Sequence, residues 1–252
     1  MTTVAISRRF SGPPESGHGG YTCGLTALAL TDGPAAVTLR RPPPVERPLE
    51  VDVAAGSATV HEDDLVVAEA QEAELAVDLP DPLLFAEAER VAADFDVERY
   101  ASWHPFPGCF GCGPRRGAGD GLRIFPAAAG PGLVAWPWVP DPSLAGPDGL
   151  VEPVMLWAAL DCPSGLSWYH DHPSAGPHVL GRMVAEVRRQ PAPGEALVVA
   201  GWDLGPEGRK RAAGSVVWAA AGEVIARNLA IWIALTPEQQ VAFRTAGDTG
   251  PR

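Results

Sequence analysis

Twice along this chain of 252 residues, a loop rich in Gly and Pro leads into an apolar stretch of helical length and then into four strand-like stretches. In the first pass, residues 11–21 form the loop, and residues 19–30 suit a buried helix of about three turns. Strand patterns follow at 36–41, 49–54, 58–61 and 65–77, with apolar residues alternating with Glu and Asp in the second and interleaved with Glu and Gln in the fourth. In the second pass, residues 122–126 and 133–139 read as strands and 148–166 as a helix. Residues 179–188, 197–204, 215–220 and 224–235 read as the closing strands. A helix followed by a strand meander predicts an α+β fold, not an alternating βαβ one. The register of the repeat is testable. Gly12-Pro13 and Gly146-Pro147 lie 134 apart, and the same step takes His18 to Glu152 and Ala27 to Asp161.

Residues 82–95 follow Asp81-Pro82 and carry apolar side chains at helical spacing, which predicts a helix joining the two copies. The expected organisation is an N-terminal unit over 1–80 and a connecting helix with a Gly- and Cys-containing linker over 81–120. A C-terminal unit over 121–240 and a flexible tail over 241–252 complete it. Apolar residues make up 46% of the chain, enough for a sizeable core, while 28 glycines and 27 prolines punctuate it into short elements. The net charge of −12 sets phosphate backbones and anionic lipid against this surface, so neither nucleic acid nor membrane is an expected partner. Four cysteines are too few for a disulfide framework in a chain this long, and no stretch reads as a leader or a membrane span. The expectation is a cytoplasmic protein with reduced thiols.

His18-Gly19-Gly20 opens the first buried helix, and strands Val37-Thr38-Leu39-Arg40-Arg41-Pro42 and Leu49-Glu50-Val51-Asp52-Val53 follow it. Cys109-Phe110-Gly111-Cys112-Gly113-Pro114 then precedes Gly121-Leu122-Arg123-Ile124. Together these resemble the hotdog-fold thioesterases, nearest to the phenylacetyl-CoA thioesterase-like branch. The resemblance covers nearly the whole chain. It implies two fused hotdogs, each an antiparallel sheet wrapped around one helix. It also implies a His-Gly-Gly helix start, an acid nine residues after the His, and an active site between two hotdogs. Here each copy departs from that pattern in a complementary way. The first has His18-Gly19-Gly20 but Ala27 at the acid position; the second has Asp161 but Glu152-Pro153-Val154 at the helix start. Proline has no N–H, so Pro153 offers no donor to an oxyanion. The expectation is one hybrid site, from His18-Gly19-Gly20 and Asp161, and one dead counterpart.

The implied reaction is hydrolysis of an acyl-CoA or acyl-carrier-protein thioester without a cofactor. Amides at a helix N-terminus would stabilise the developing oxyanion. Asp161 would act as general base or as nucleophile. Trp157, Leu160 and Cys162 would desolvate it, and Ser164 would bond the carboxylate or the water. Tyr21 and Trp157 are further candidates for substrate contact. Arg209-Lys210-Arg211, read as a loop, is the leading counter-charge for CoA phosphates, with Arg40, Arg41 and Arg182 behind it. Other readings stay open: a hotdog hydratase or dehydratase with His18 as base, a non-catalytic acyl-CoA-binding protein, and a homodimer of double hotdogs. Against the site stands a bland alternative in which Pro163 and Gly165 end the helix and leave Asp161 exposed. Cys109-x-x-Cys112 is one pair where structural zinc wants four ligands, with His104 and Cys162 distant in sequence. It reads as a turn with buried thiols, and no metal is expected. His170-Asp171-His172 reads as a solvated connection, and the tryptophans that alternate along strands, Trp202 and Trp232 among them, read as packing.

Overall fold

The computed structural model describes residues 2–169, 171–172 and 176–241. Eleven strands form one sheet: β1 (Thr2–Ala5), β2 (Ala35–Leu39), β3 (Pro48–Ala54), β4 (Ser57–Glu62), β5 (Leu65–Glu72), β6 (Ala127–Gly130), β7 (Leu133–Trp138), β8 (His178–Val187), β9 (Leu197–Glu207), β10 (Lys210–Ala219) and β11 (Val224–Ala234). Helices α1 (Gly19–Leu28), α2 (Phe85–Ala92), α3 (Val97–Trp103) and α4 (Pro153–Leu166) accompany them, and residues 237–241 are also helical.

The sheet order is β1-β3-β4-β5-β2-β8-β11-β10-β9-β7-β6. Read outward from the centre, β2, β5, β4, β3 and β1 on one side mirror β8, β11, β10, β9 and β7 on the other. The two halves meet edge to edge, antiparallel, with Ala35 opposite Ala185 and Thr38 opposite Arg182. Pairing these two strands leaves neither half with an open central edge. The fold is α+β, two hotdogs in one continuous sheet.

The duplication holds to the residue in the segments leading into the helices. Short 3-10 turns at Arg8–Phe10 and Pro142–Leu144 lie 134 apart. So do the bridges Ser11 to Gly17 and Ala145 to Val151, and the N-caps His18 and Glu152. Beyond the helices the step changes, because the connection from α4 to β8 differs in length from that between α1 and β2.

The two long helices pack against each other inside the sheet. Their approach is close because α1 presents glycine at i and i+4. A Cβ on Gly20 would lie 2.5 Å from the Trp157 carbonyl oxygen and 2.6 Å from the Asp161 Cβ. One on Gly24 would lie 2.7 Å from the Trp157 Cβ. All twelve α4 residues from Met155 to Leu166 are buried, so its sequence is apolar on every side and lacks the stripe of a surface helix.

Several expected elements shift. Residues 122–126 are not a strand; β6 follows them instead. Strands β1 and β6 and helix α3 carry no pattern strong enough to read, being short and, for β6, a run of alanine and glycine. Pro163 and Gly165 do not end α4, which continues to Leu166. The sheet holds this stretch: Ser215 and Asn228 side chains both donate to the Leu160 carbonyl, and the Trp232 ring occupies the space a side chain on Gly165 would fill. Tertiary packing overrides the helix-breaking preference of these two residues.

Candidate active site

Residue 18 caps α1, and its extended backbone turns the imidazole back over the first turn. Its Nδ1 lies 3.3 Å from the Tyr21 amide nitrogen and 3.3 Å from Asp161 Oδ2. Unprotonated, Nδ1 caps the helix; protonated, it serves the carboxylate. Asp161 reaches this point from mid-α4, and its Oδ2 accepts the Gly20 N–H at 2.7 Å. His18 and Asp161 are 1% and 3% exposed, which excludes the solvated helix-end reading of Asp161. Its other oxygen, Oδ1, is buried with no hydrogen-bond partner among the described residues. The Gly19 amide, first in the helix, likewise carries no bond to another described residue.

Burial is the main influence on the Asp161 carboxyl and raises its pKa, with His18 and the Gly20 amide pulling the other way. Burial works downward on His18, but the Asp161 and Cys109 charges outweigh it, and the imidazole titrates above its ordinary value. Carboxylate and imidazole, 3.3 Å apart, thus influence each other's proton affinity.

A cavity of about 290 Å³ opens beside this pair, lined by His18, Gly19, Asp161 and Cys162 on one wall. Leu166, Leu180, Trp232, Ile233 and Phe106 make it largely apolar, and Arg40 and Arg41 stand at its border. Arg40 donates to Glu69 Oε2 at 2.7 Å, whereas Arg41 is half-buried and has no ion pair among the described residues.

Several sequence candidates lie elsewhere. The Ser164 hydroxyl donates to the Asp161 main-chain carbonyl at 2.7 Å and accepts from Trp232 Nε1 at 3.0 Å, so it bonds the backbone rather than the carboxylate. Tyr21 stacks on Phe10, with ring centroids 4.1 Å apart, and Trp157 packs under Gly24; neither lines the cavity. Arg209-Lys210-Arg211 also stands apart from it. Lys210 and Arg211 begin β10, where alternation turns Arg211 inward into a two-pronged bond with Asp203 at 2.6 and 2.7 Å, over the Trp168 ring. Arg209 bonds the Ala234 carbonyl. Asp171 and His172 are exposed, as expected of a solvated connection, and His170 lies outside the described residues.

Behind His18 lies a group that the sequence order concealed. Its Nε2 is 3.3 Å from Cys162 Sγ, and Cys162 Sγ is 3.6 Å from Cys109 Sγ. The Cys112 thiol faces His104 Nε2 at 3.2 Å. Hydrogen bonds from Cys112 and Cys162, helped by His18, hold the Cys109 thiol well below the usual range, while Cys162 and Cys112 are raised. Burial lowers His104 to about 4.

No protein-family model and no curated protein matches the sequence. Solved structures do match, over most of the chain. A thioesterase from Novosphingobium aromaticivorans aligns with a TM-score of 0.58 at 12% identity, covering 93% of this chain and 95% of the other. An acyl-CoA thioesterase II, TesB2, from Mycobacterium marinum aligns at 0.57 and 13%, covering 93% of each. A thioesterase II from Thermobifida fusca aligns at 0.55 and 15%, covering 93% of this chain and 92% of the other. The fold is the double hotdog of these proteins. At such identities the likeness extends to fold, and the chemistry must be argued from the residues. No described helix is long and apolar enough to cross a membrane.

Proposed function

We propose that this protein hydrolyses acyl thioesters, with CoA or an acyl carrier as the thiol, at one site shared by its halves. One observation carries the reading. The Asp161 carboxylate of the second hotdog meets the His18-Gly19-Gly20 helix start of the first, 2.7 Å from an amide, on the wall of an apolar cavity. The symmetry-related position pairs Ala27, which has no carboxylate, with a helix whose first residue is Pro153, which has no N–H to donate.

In this reading the acyl chain occupies the cavity with its carbonyl oxygen toward Gly19 N–H, at the positive end of α1. The Gly20 amide holds Asp161 instead, so the oxyanion draws on the first amide and the helix dipole. Asp161 Oδ1, unpartnered, takes a proton from water that attacks the carbonyl carbon, or attacks it directly to give an anhydride that water opens. Either route cleaves the C–S bond, and thioester plus water yields acid plus thiol. His18 holds the carboxylate in place.

A hydratase would need His18 as a base reaching substrate carbons. Both of its ring nitrogens face protein groups, which argues against that role. The test is thiol release from a panel of acyl-CoAs followed with a chromogenic reagent. Wild type is expected to turn over, and Asp161→Asn to lose about 10²–10⁴-fold in kcat. Tight acyl-CoA binding without turnover would replace the enzyme reading with a binding protein, and unchanged Asp161→Asn activity would reject the site.

A further inference from the structure

Three ligand atoms from three separate segments converge behind the carboxylate: His18 from the α1 N-cap, Cys109 from the linker and Cys162 from α4. All are buried, and all lie within 4.8 Å of one another. The fourth cysteine, Cys23, is elsewhere in α1. Gly111 keeps the space between them clear. A Cβ there would fall 2.7 Å from Cys162 Sγ and 2.8 Å from His18 Nε2.

We propose that His18 Nε2, Cys109 Sγ and Cys162 Sγ bind a zinc ion, with its fourth position toward the cavity. Tetrahedral zinc, with bonds near 2.3 Å to sulfur and 2.0 Å to nitrogen, places two sulfurs about 3.8 Å apart and sulfur and nitrogen about 3.5 Å apart. The observed separations are 3.6 and 3.3 Å. Two thiolates cancel the charge of the ion, so the filled site is neutral where an uncompensated ion would be costly to bury. Soft thiolates with one imidazole select zinc over magnesium or calcium. The outer shell fits as well. A histidine bound through Nε2 carries its proton on Nδ1, and that nitrogen faces the Asp161 carboxylate at 3.3 Å. Cys112 is engaged with His104 and stands outside the ligand set. All three ligands line the cavity, so an open fourth position has access to it.

The proposal stands apart from the hydrolase reading, and its test needs no substrate. The full chain is purified under reductant from zinc-supplemented growth, its metal measured by elemental mass spectrometry, and the metal-free reduced protein titrated with Zn²⁺ against a chromophoric chelator. About one zinc per chain is expected, as for a site of this kind. Co²⁺ in its place should give the thiolate-to-cobalt absorption of a tetrahedral site. Loss of an outer-shell partner alone typically weakens a metal by about 10–100-fold, so Cys109→Ser and Cys162→Ser should each lose more than that. Cys23→Ser should bind as wild type, and Cys112→Ser, which keeps a hydroxyl beside Cys109, should lose far less than either ligand variant, with folding of every variant followed by circular dichroism. Wild type that carries no stoichiometric metal and takes up none leaves a hydrogen-bonded thiol cluster only, and overturns the proposal. So does equal loss in all four variants, or retention of metal by both Cys109→Ser and Cys162→Ser.

Discussion

Asp161 combines two conditions that rarely coexist: nearly complete burial, and one carboxylate oxygen without a partner among the described residues. Groups left under-satisfied in a core cost stability, and they concentrate where a reaction uses them. Because burial raises this carboxyl, the proton leaves above the ordinary carboxylate range. A base must be ionised to act, so turnover should fall as pH drops through that raised value, while an unperturbed carboxylate would hold activity down to about pH 4. A kcat profile that stays flat to that pH would exclude Asp161 as the base. The residue was a candidate in sequence because the family resemblance implies an acid at the position that the 134-residue step maps onto Ala27. The role of Ser164 was not, because its hydroxyl turns to the Asp161 carbonyl, a choice of rotamer that sequence does not specify.

The two buried helices place the site, and glycine spacing governs how near they come. Gly24→Ala would drive a methyl to 2.7 Å from the Trp157 Cβ. Overpacking of this kind costs about 1–3 kcal/mol, and the melting temperature of a chain this size should fall by about 2–4 °C for each. Calorimetry of the variant measures this; an unchanged transition would show that α4 can retreat. The mirror site gives a second check. Ala27→Asp buries a carboxylate opposite a helix that opens with Glu152-Pro153, so it should lower the melting temperature and add no turnover. A gain in thiol release would show that the second helix start can serve after all. Helix α4 itself was predicted from residue 148, yet it starts at Pro153. Proline suits the first helical turn, and residues 148–151 form a turn and an isolated bridge instead.

Across the whole molecule the acidic surface leaves few basic groups for a polyanionic thiol. Arg41 borders the cavity, is half-buried and has no ion pair among the described residues, while Arg211 is bound to Asp203. Arg41→Ala should therefore raise KM for CoA thioesters by up to about 5-fold with kcat unchanged, the scale of one exposed charge pair. Lys210→Ala should leave KM as it is. Steady-state kinetics on both variants checks the assignment, and the opposite pattern would return the phosphates to the β10 end. Sequence favoured the consecutive Arg209-Lys210-Arg211 because adjacency in the chain is visible there. Which end of a strand borders the cavity depends on how the sheet curves.

Local pattern was enough for the doubled α+β order and the 134-residue step, since hydrophobic periodicity, Gly-Pro breaks and residue identity are properties of neighbours in the chain, while the complementary departures at the acid and the helix start were read against the pattern that the family resemblance implies. Three things required the folded chain: the antiparallel seam between β2 and β8, the continuation of α4 through Pro163, and the meeting of Cys109 with Cys162 and His18. Each depends on contacts between residues far apart in sequence, formed when burial of two apolar helices inside one sheet outweighs local preference.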